Sequence, residues 1–124
     1  MEPFGIAAAI EAVEDSNILP QTDYDKDRTG VIIGSGIGGL STIEKTSVEF
    51  YSSDRGKVSP YFIPASLINL LSGHVSIKYG FMGPNSAVST ACSTGAHAIG
   101  DAARIIKYGD ADIMIAGGAE APIT

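Results

Sequence analysis

One cysteine, no tryptophan and 7% aromatic residues in a chain of 124 set the first limits. The lone Cys92 cannot cross-link the chain to itself, so no disulfide framework holds the fold, in keeping with a reducing compartment. Basic residues are few: 8 Lys and Arg against 14 Asp and Glu give a net charge of −6. That balance argues against a protein that works by neutralising nucleic-acid phosphates or by lying on an anionic membrane. Nowhere do about 18 apolar residues follow one another, as a membrane-spanning helix needs, and Met1-Glu2-Pro3 lacks the basic start of a secretory signal. The chain reads as soluble and intracellular, with room for one domain.

Glycine is in excess, 15 residues, and it clusters at the joints between elements, where tight turns and close backbone packing need it. Residues 4–15 carry Phe4, Ile6, Ala7, Ile10 and Val13 at helical spacing, with Ser16-Asn17 as the stop. A polar connection over 18–30 leads to the β-branched run Val31-Ile32-Ile33, a buried strand ending in Gly34. A second helix-like pattern runs from Leu40 to Tyr51, and a short apolar helix is expected from Pro64 to Leu71, closed by Ser72-Gly73. Residues 74–85 read as irregular, running into a strand at Ala87-Val88-Ser89. Residues 93–107 form the strongest helix pattern, stopped by Gly109, and Asp112 to Ala116 reads as a strand. Helices alternating with wholly apolar strands predict an α/β layered fold with a largely parallel sheet. Three strands make a thin sheet, which points to part of a larger fold; a small complete domain is the alternative.

Cys92 is the sharpest candidate. It lies in Val88-Ser89-Thr90-Ala91-Cys92-Ser93-Thr94-Gly95, at the junction of strand and helix, where unpaired N–H groups and the helix dipole stabilise a thiolate. The same amides can hold an oxyanion during acyl transfer. The plain alternative is a cysteine filling space in the core. The helix that follows carries small residues on nearly every face, which predicts a central position with Cys92 at its buried tip. His97, five residues on and about 140° around the helix, is a poor base for Cys92, and His74 reads as structural.

Gly34-Ser35-Gly36-Ile37-Gly38-Gly39 fits the spacing of a dinucleotide loop, with Asp54 at the distance of a ribose-binding acid. Residues 48–57, however, end a helix and enter a turn, where that fold needs a second strand. The favoured reading is a close-packed turn, and a nucleotide-binding fragment is the alternative function. Asp110, Asp112, Asp23, Asp25 and Asp27 read as solvated turn residues, since a calcium loop needs a bending glycine and a distal Glu.

Five ordered stretches carry a family resemblance: residues 33–39 (IGSGIGG), 59–64 (SPYFIP), 80–85 (GFMGPN), 89–100 (STACSTGAHAIG) and 109–121 (GDADIMIAGGAEA). The chain resembles the N-terminal half of an elongating, type II β-ketoacyl-acyl-carrier-protein synthase. The resemblance implies a thiolase-like fold, here incomplete: a layered α/β structure with a mixed sheet. Residues 1–124 would be a partial N-terminal domain, without the C-terminal half that bears the family's two catalytic histidines, its lysine and the second oxyanion donor.

Residue by residue, Cys92 matches the nucleophile that takes the acyl chain, and its own N–H one oxyanion donor. Ile37 matches the gate of the acyl pocket and Phe62 an aromatic lining it beside a dimer interface. Lys57 falls where the family presents a basic side chain to its acidic carrier protein, with Gly56 beside it and Arg55 as the substitute. The implied activity is fatty-acid elongation by decarboxylative condensation, with acyl- and malonyl-loaded acyl carrier protein as partners. The resemblance further implies a homodimer in the cytoplasm, with no cofactor and no metal. A polyketide-type ketosynthase is the nearest alternative; chain-length-factor subunits replace the cysteine that is present here. The chain alone is expected to make no condensation product, and to associate through exposed faces of Val31 to Ile33, Ile113 to Ile115 and Leu67 to Leu71, with Ala87 to Ser89 near an interface.

Overall fold

The computed structural model describes residues 2–52 and 57–121, and only the backbone of Glu2, Pro64 and Ala65. In chain order the elements are α1 (Glu2–Ser16), α2 (Asp23–Asp27), β1 (Thr29–Gly34), α3 (Leu40–Ser52), α4 (Phe62–Ser66), α5 (Leu70–Tyr79), β2 (Asn85–Ser86), α6 (Thr94–Lys107) and β3 (Ile113–Gly118). A 3₁₀ turn at Ala91–Ser93 precedes α6. The strands form one sheet in the order β2-β1-β3, both pairings parallel.

The sheet is the middle of three layers, and the period-two alternation of a strand sorts its side chains between them. Val31 and Ile33 face α1 and α5, packing with Ala9, Val13, Leu71, Val75 and Phe81. Ile32 faces α6, packing with Ala98 and Ala102. An apolar run buried on both faces is what a parallel strand between helical layers requires.

Four sequence expectations need correction. The polar connection over 18–30 contains α2, which closes on a capping box: Thr22 Oγ1 accepts from the Asp25 N–H at 3.1 Å, and Asp25 returns the bond to the Thr22 N–H, also at 3.1 Å. The helix expected over 64–71 is two helices, broken where Leu67 turns extended (ψ 139°). The second, α5, runs through Gly73 and the predicted irregular stretch as far as Gly80, whose φ of 72° ends it.

The third correction moves the strand from 87–89 to Asn85–Ser86. The hydroxyl of the buried Ser72 takes the place of a longer β2. It accepts from the Ile33 N–H at 3.0 Å and donates to the Ile33 and Ser86 carbonyls at 3.2 and 2.8 Å. Lastly, Val31 to Ile33 are not an exposed surface: β1 is the central strand and all six of its residues are buried. The aspartates before β3 are engaged through Asp112, which pairs with Arg28 at 3.1 Å. This pair pushes the Arg28 guanidinium above its usual range through the Asp112 hydrogen bond.

Candidate active site

Parallel strands deliver their carboxyl ends to one edge of the sheet, the usual place for a ligand in α/β folds. Here that edge gathers the turn after β1, the loop after β3 and the N-terminus of α6. Between them lies a cleft of 260 Å³ lined by residues 34–36, Ala91, Thr94, Gly95 and residues 118–120. Ala91, on its wall, is the residue before Cys92.

The elbow around Cys92 is held by its neighbours. Buried Thr94 spans it, accepting from the Thr90 N–H and donating to the Ala91 carbonyl, both at 2.8 Å. Ser93 closes the same turn by donating from its hydroxyl to the Thr90 carbonyl at 2.8 Å. Ala91 sits at φ 51°, a left-handed conformation that a residue with a Cβ adopts at a cost of about 1 kcal/mol or more. The chain therefore reverses sharply just before the sulfur. Cys92 itself is exposed, which corrects the expected buried tip. Among the described residues one face of α6 is covered by the sheet: Ala98 and Ala102 are buried, whereas Ile99 on the far side is 59% exposed.

Gly34 lets this elbow approach β1. A Cβ there would lie 2.3 Å from the Val88 carbonyl oxygen and 2.4 Å from Thr94 Cγ2, so the glycine is a matter of packing. The rest of the glycine turn meets a carboxylate. Glu120 Oε1 accepts from the Ile37 N–H at 2.5 Å, the Gly38 N–H at 3.3 Å and the Ser35 hydroxyl at 3.2 Å. Amides already facing a fixed negative charge do not suit a pyrophosphate. The acid of the dinucleotide reading, Asp54, lies outside the described residues.

The structure brings the turn bearing Ile37 against the elbow. The Ser89 hydroxyl donates to the Gly36 carbonyl at 3.0 Å, and a Cβ on Gly36 would stand 3.5 Å from Ala91 Cα. The far end of the turn reaches α4, which opens with the half-buried Phe62, through the Gly39 N–H to the Ser66 carbonyl at 3.3 Å. Lys57 is exposed, and Arg55 lies outside the described residues. His97 turns away from catalysis toward structure: its Nδ1 is 3.2 Å from Thr90 Oγ1 and its Nε2 3.1 Å from Asp101. Among the described residues no His, Cys, Asp and Glu cluster forms a metal site, and no helix is long and apolar enough to cross a membrane.

Sequence reasoning passed over Thr94 and Glu120. Threonine at the start of a helix is a signal that points to a cap. Nothing local shows that Glu120 meets the amide of Ile37, a residue 83 positions earlier.

The family model described as "Beta-ketoacyl synthase, N-terminal domain" matches residues 1–124. The chain is 51% identical over 120 residues to the mitochondrial 3-oxoacyl-[acyl-carrier-protein] synthase of Arabidopsis thaliana, covering 97% of this chain and 26% of that protein. It is 52% identical over 120 residues to 3-oxoacyl-[acyl-carrier-protein] synthase 2 of Rhizobium meliloti, covering 97% and 28% respectively. The chain thus spans little more than a quarter of the length of these relatives. Among solved structures, it resembles a ketosynthase in complex with its type II polyketide-synthase acyl-carrier protein and bound to the hexaketide. The TM-score is 0.86 and the identity 32%, over 98% of this chain and 31% of that one. A β-ketoacyl synthase from Burkholderia phymatum gives a TM-score of 0.82 at 26% identity, over 96% and 29%.

Proposed function

The chain belongs to the β-ketoacyl synthase family, and from that membership we propose that it is part of the N-terminal domain of a fatty-acid-elongating condensing enzyme, with Cys92 as the nucleophile. The observation that carries this reading is the elbow: an exposed thiol after a left-handed Ala91, at the foot of α6 and beside the cleft. In the first half-reaction the Cys92 sulfur attacks the carbonyl carbon of an acyl thioester on acyl carrier protein. The new S–C bond forms as the carrier's S–C bond breaks, and the proton goes to the departing thiol. The N–H of Cys92 supports the oxyanion.

Condensation then requires loss of CO₂ from malonyl-carrier protein and attack of the resulting carbanion on the Cys92 thioester. The family resemblance assigns that step to histidines and a lysine of a C-terminal half. Ile37 gates the acyl pocket and Phe62 lines it. Lys57 and Arg55 are the basic contacts for the acidic carrier. The whole enzyme works as a cytoplasmic homodimer without cofactor or metal.

The test is formation of an acyl-enzyme in the full-length protein. Incubation with acyl-carrier protein should add one acyl mass to the peptide bearing Cys92, cerulenin should block it, and Cys92→Ala should abolish it. Acylation that survives Cys92→Ala overturns the assignment. Thermal stabilisation by NAD would favour the nucleotide reading instead. A separate measurement addresses the gate. Ile37→Phe should shift acyl-chain preference, because a β-branched side chain on a tight turn controls a channel through its few rotamers.

A further inference from the structure

We infer that Glu120 is a positioning residue: its carboxylate latches the turn that carries Ile37 and so sets acyl access to Cys92. The inference rests on the reading of Ile37 as the gate. The Ile37 side chain is 56% exposed among the described residues, and the backbone beneath it sets where its Cβ stands. That backbone leaves β1 at Gly34, where the Ser35 N–H still meets the Val88 carbonyl, and reverses at Gly38 with φ 100°, so the Ile37 and Gly38 amides have no ladder or helix partner. One oxygen of Glu120 supplies the partner for two consecutive amides, Ile37 and Gly38, and for the Ser35 hydroxyl, which itself accepts from the Gly38 N–H at 3.1 Å.

The latch has its own anchor, since the Ala119 N–H donates to the Gly34 carbonyl at 3.0 Å and fixes the loop that presents Glu120. The exit of the turn is tied to α4 by the Gly39 N–H. Release of the carboxylate would therefore free Ile37 alone between two fixed ends.

The test uses the full-length enzyme and two readouts. In Glu120→Ala, amide hydrogen exchange at Ile37 should accelerate at least tenfold, with a smaller change at Gly38, which keeps the Ser35 hydroxyl. The ratio of acyl-transfer rates from hexanoyl- and palmitoyl-carrier protein should shift about tenfold. Glu120→Gln, whose side-chain carbonyl still accepts, should stay within about threefold of the parent on both. A general loss of structure would slow both donors alike and leave the ratio in place. Unchanged exchange in folded Glu120→Ala overturns the inference. So does an unchanged ratio when Ile37→Phe alters it. If exchange accelerates and Ile37→Phe itself leaves the ratio unchanged, the gate reading falls and the latch stands.

Discussion

Thr94 does at the residue scale what the site most needs, replacing by one hydroxyl the backbone partners that a sharp reversal leaves unmade. It is nearly fully buried and bonds on both sides of Ala91. Thr94→Val keeps the β-branched shape and strands the Thr90 N–H and the Ala91 carbonyl. Thr90 and Ala91 are exposed, so water replaces the lost partner and the expected loss is about 0.5–1.5 kcal/mol, the net worth of a hydrogen bond. Urea unfolding of the full-length protein measures it, and acyl-enzyme formation at Cys92 should slow in parallel as Ala91 relaxes. Gly34→Ala places a methyl inside contact distance of Val88 and Thr94. Overpacking of this kind costs about 1–3 kcal/mol, and a variant as stable as the parent in the same titration would contradict the packing role of Gly34.

At the scale of elements, the junction of β1, β2 and α5 depends on a side chain acting as backbone. Ser72 sits in α5 yet bonds the Ile33 N–H and both the Ile33 and Ser86 carbonyls, so β2 needs only two ladder residues. Ser72→Ala leaves the buried Ile33 N–H and carbonyl without that partner and should destabilise the protein by about 1–3 kcal/mol. Hydrogen exchange should report the loss locally, with faster exchange at Ile33 and little change in β3. Uniform acceleration across the sheet would mean that Ser72 is not the local link described.

For the molecule as a whole, the consequence is apolar surface left uncovered among the described residues. The sheet has β3 at one edge with partly exposed Ile113, Met114 and Ile115, and α6 presents Ile99 and Ile106 outward. Apolar faces and an unpaired strand edge favour association despite a net charge of −6. Expressed alone, the chain should sediment as oligomers or aggregates, and a cooperatively folding monomer would contradict this. It should also yield no β-ketoacyl product from acyl- and malonyl-carrier protein, since the nucleophile role proposed for Cys92 includes nothing that stabilises the carbanion.

Alone, the sequence determined the layered α/β class, the apolar strand at Val31 to Ile33, the helix after Cys92 and the position of that cysteine at its start. Each rests on local pattern: apolar runs, helical spacing and glycine at the joints. It also pointed to the family, through motifs spread along nearly the whole chain. Only the tertiary structure decided that β1 is central, that Ser72 shortens β2, that Cys92 is exposed and that Glu120 meets the turn of Ile37. Those facts come from contacts between residues such as Ser72 and Ile33 or Glu120 and Ile37, 39 and 83 positions apart. A hydrogen bond depends on where two groups meet in space, and no local spacing of residue types encodes such a meeting.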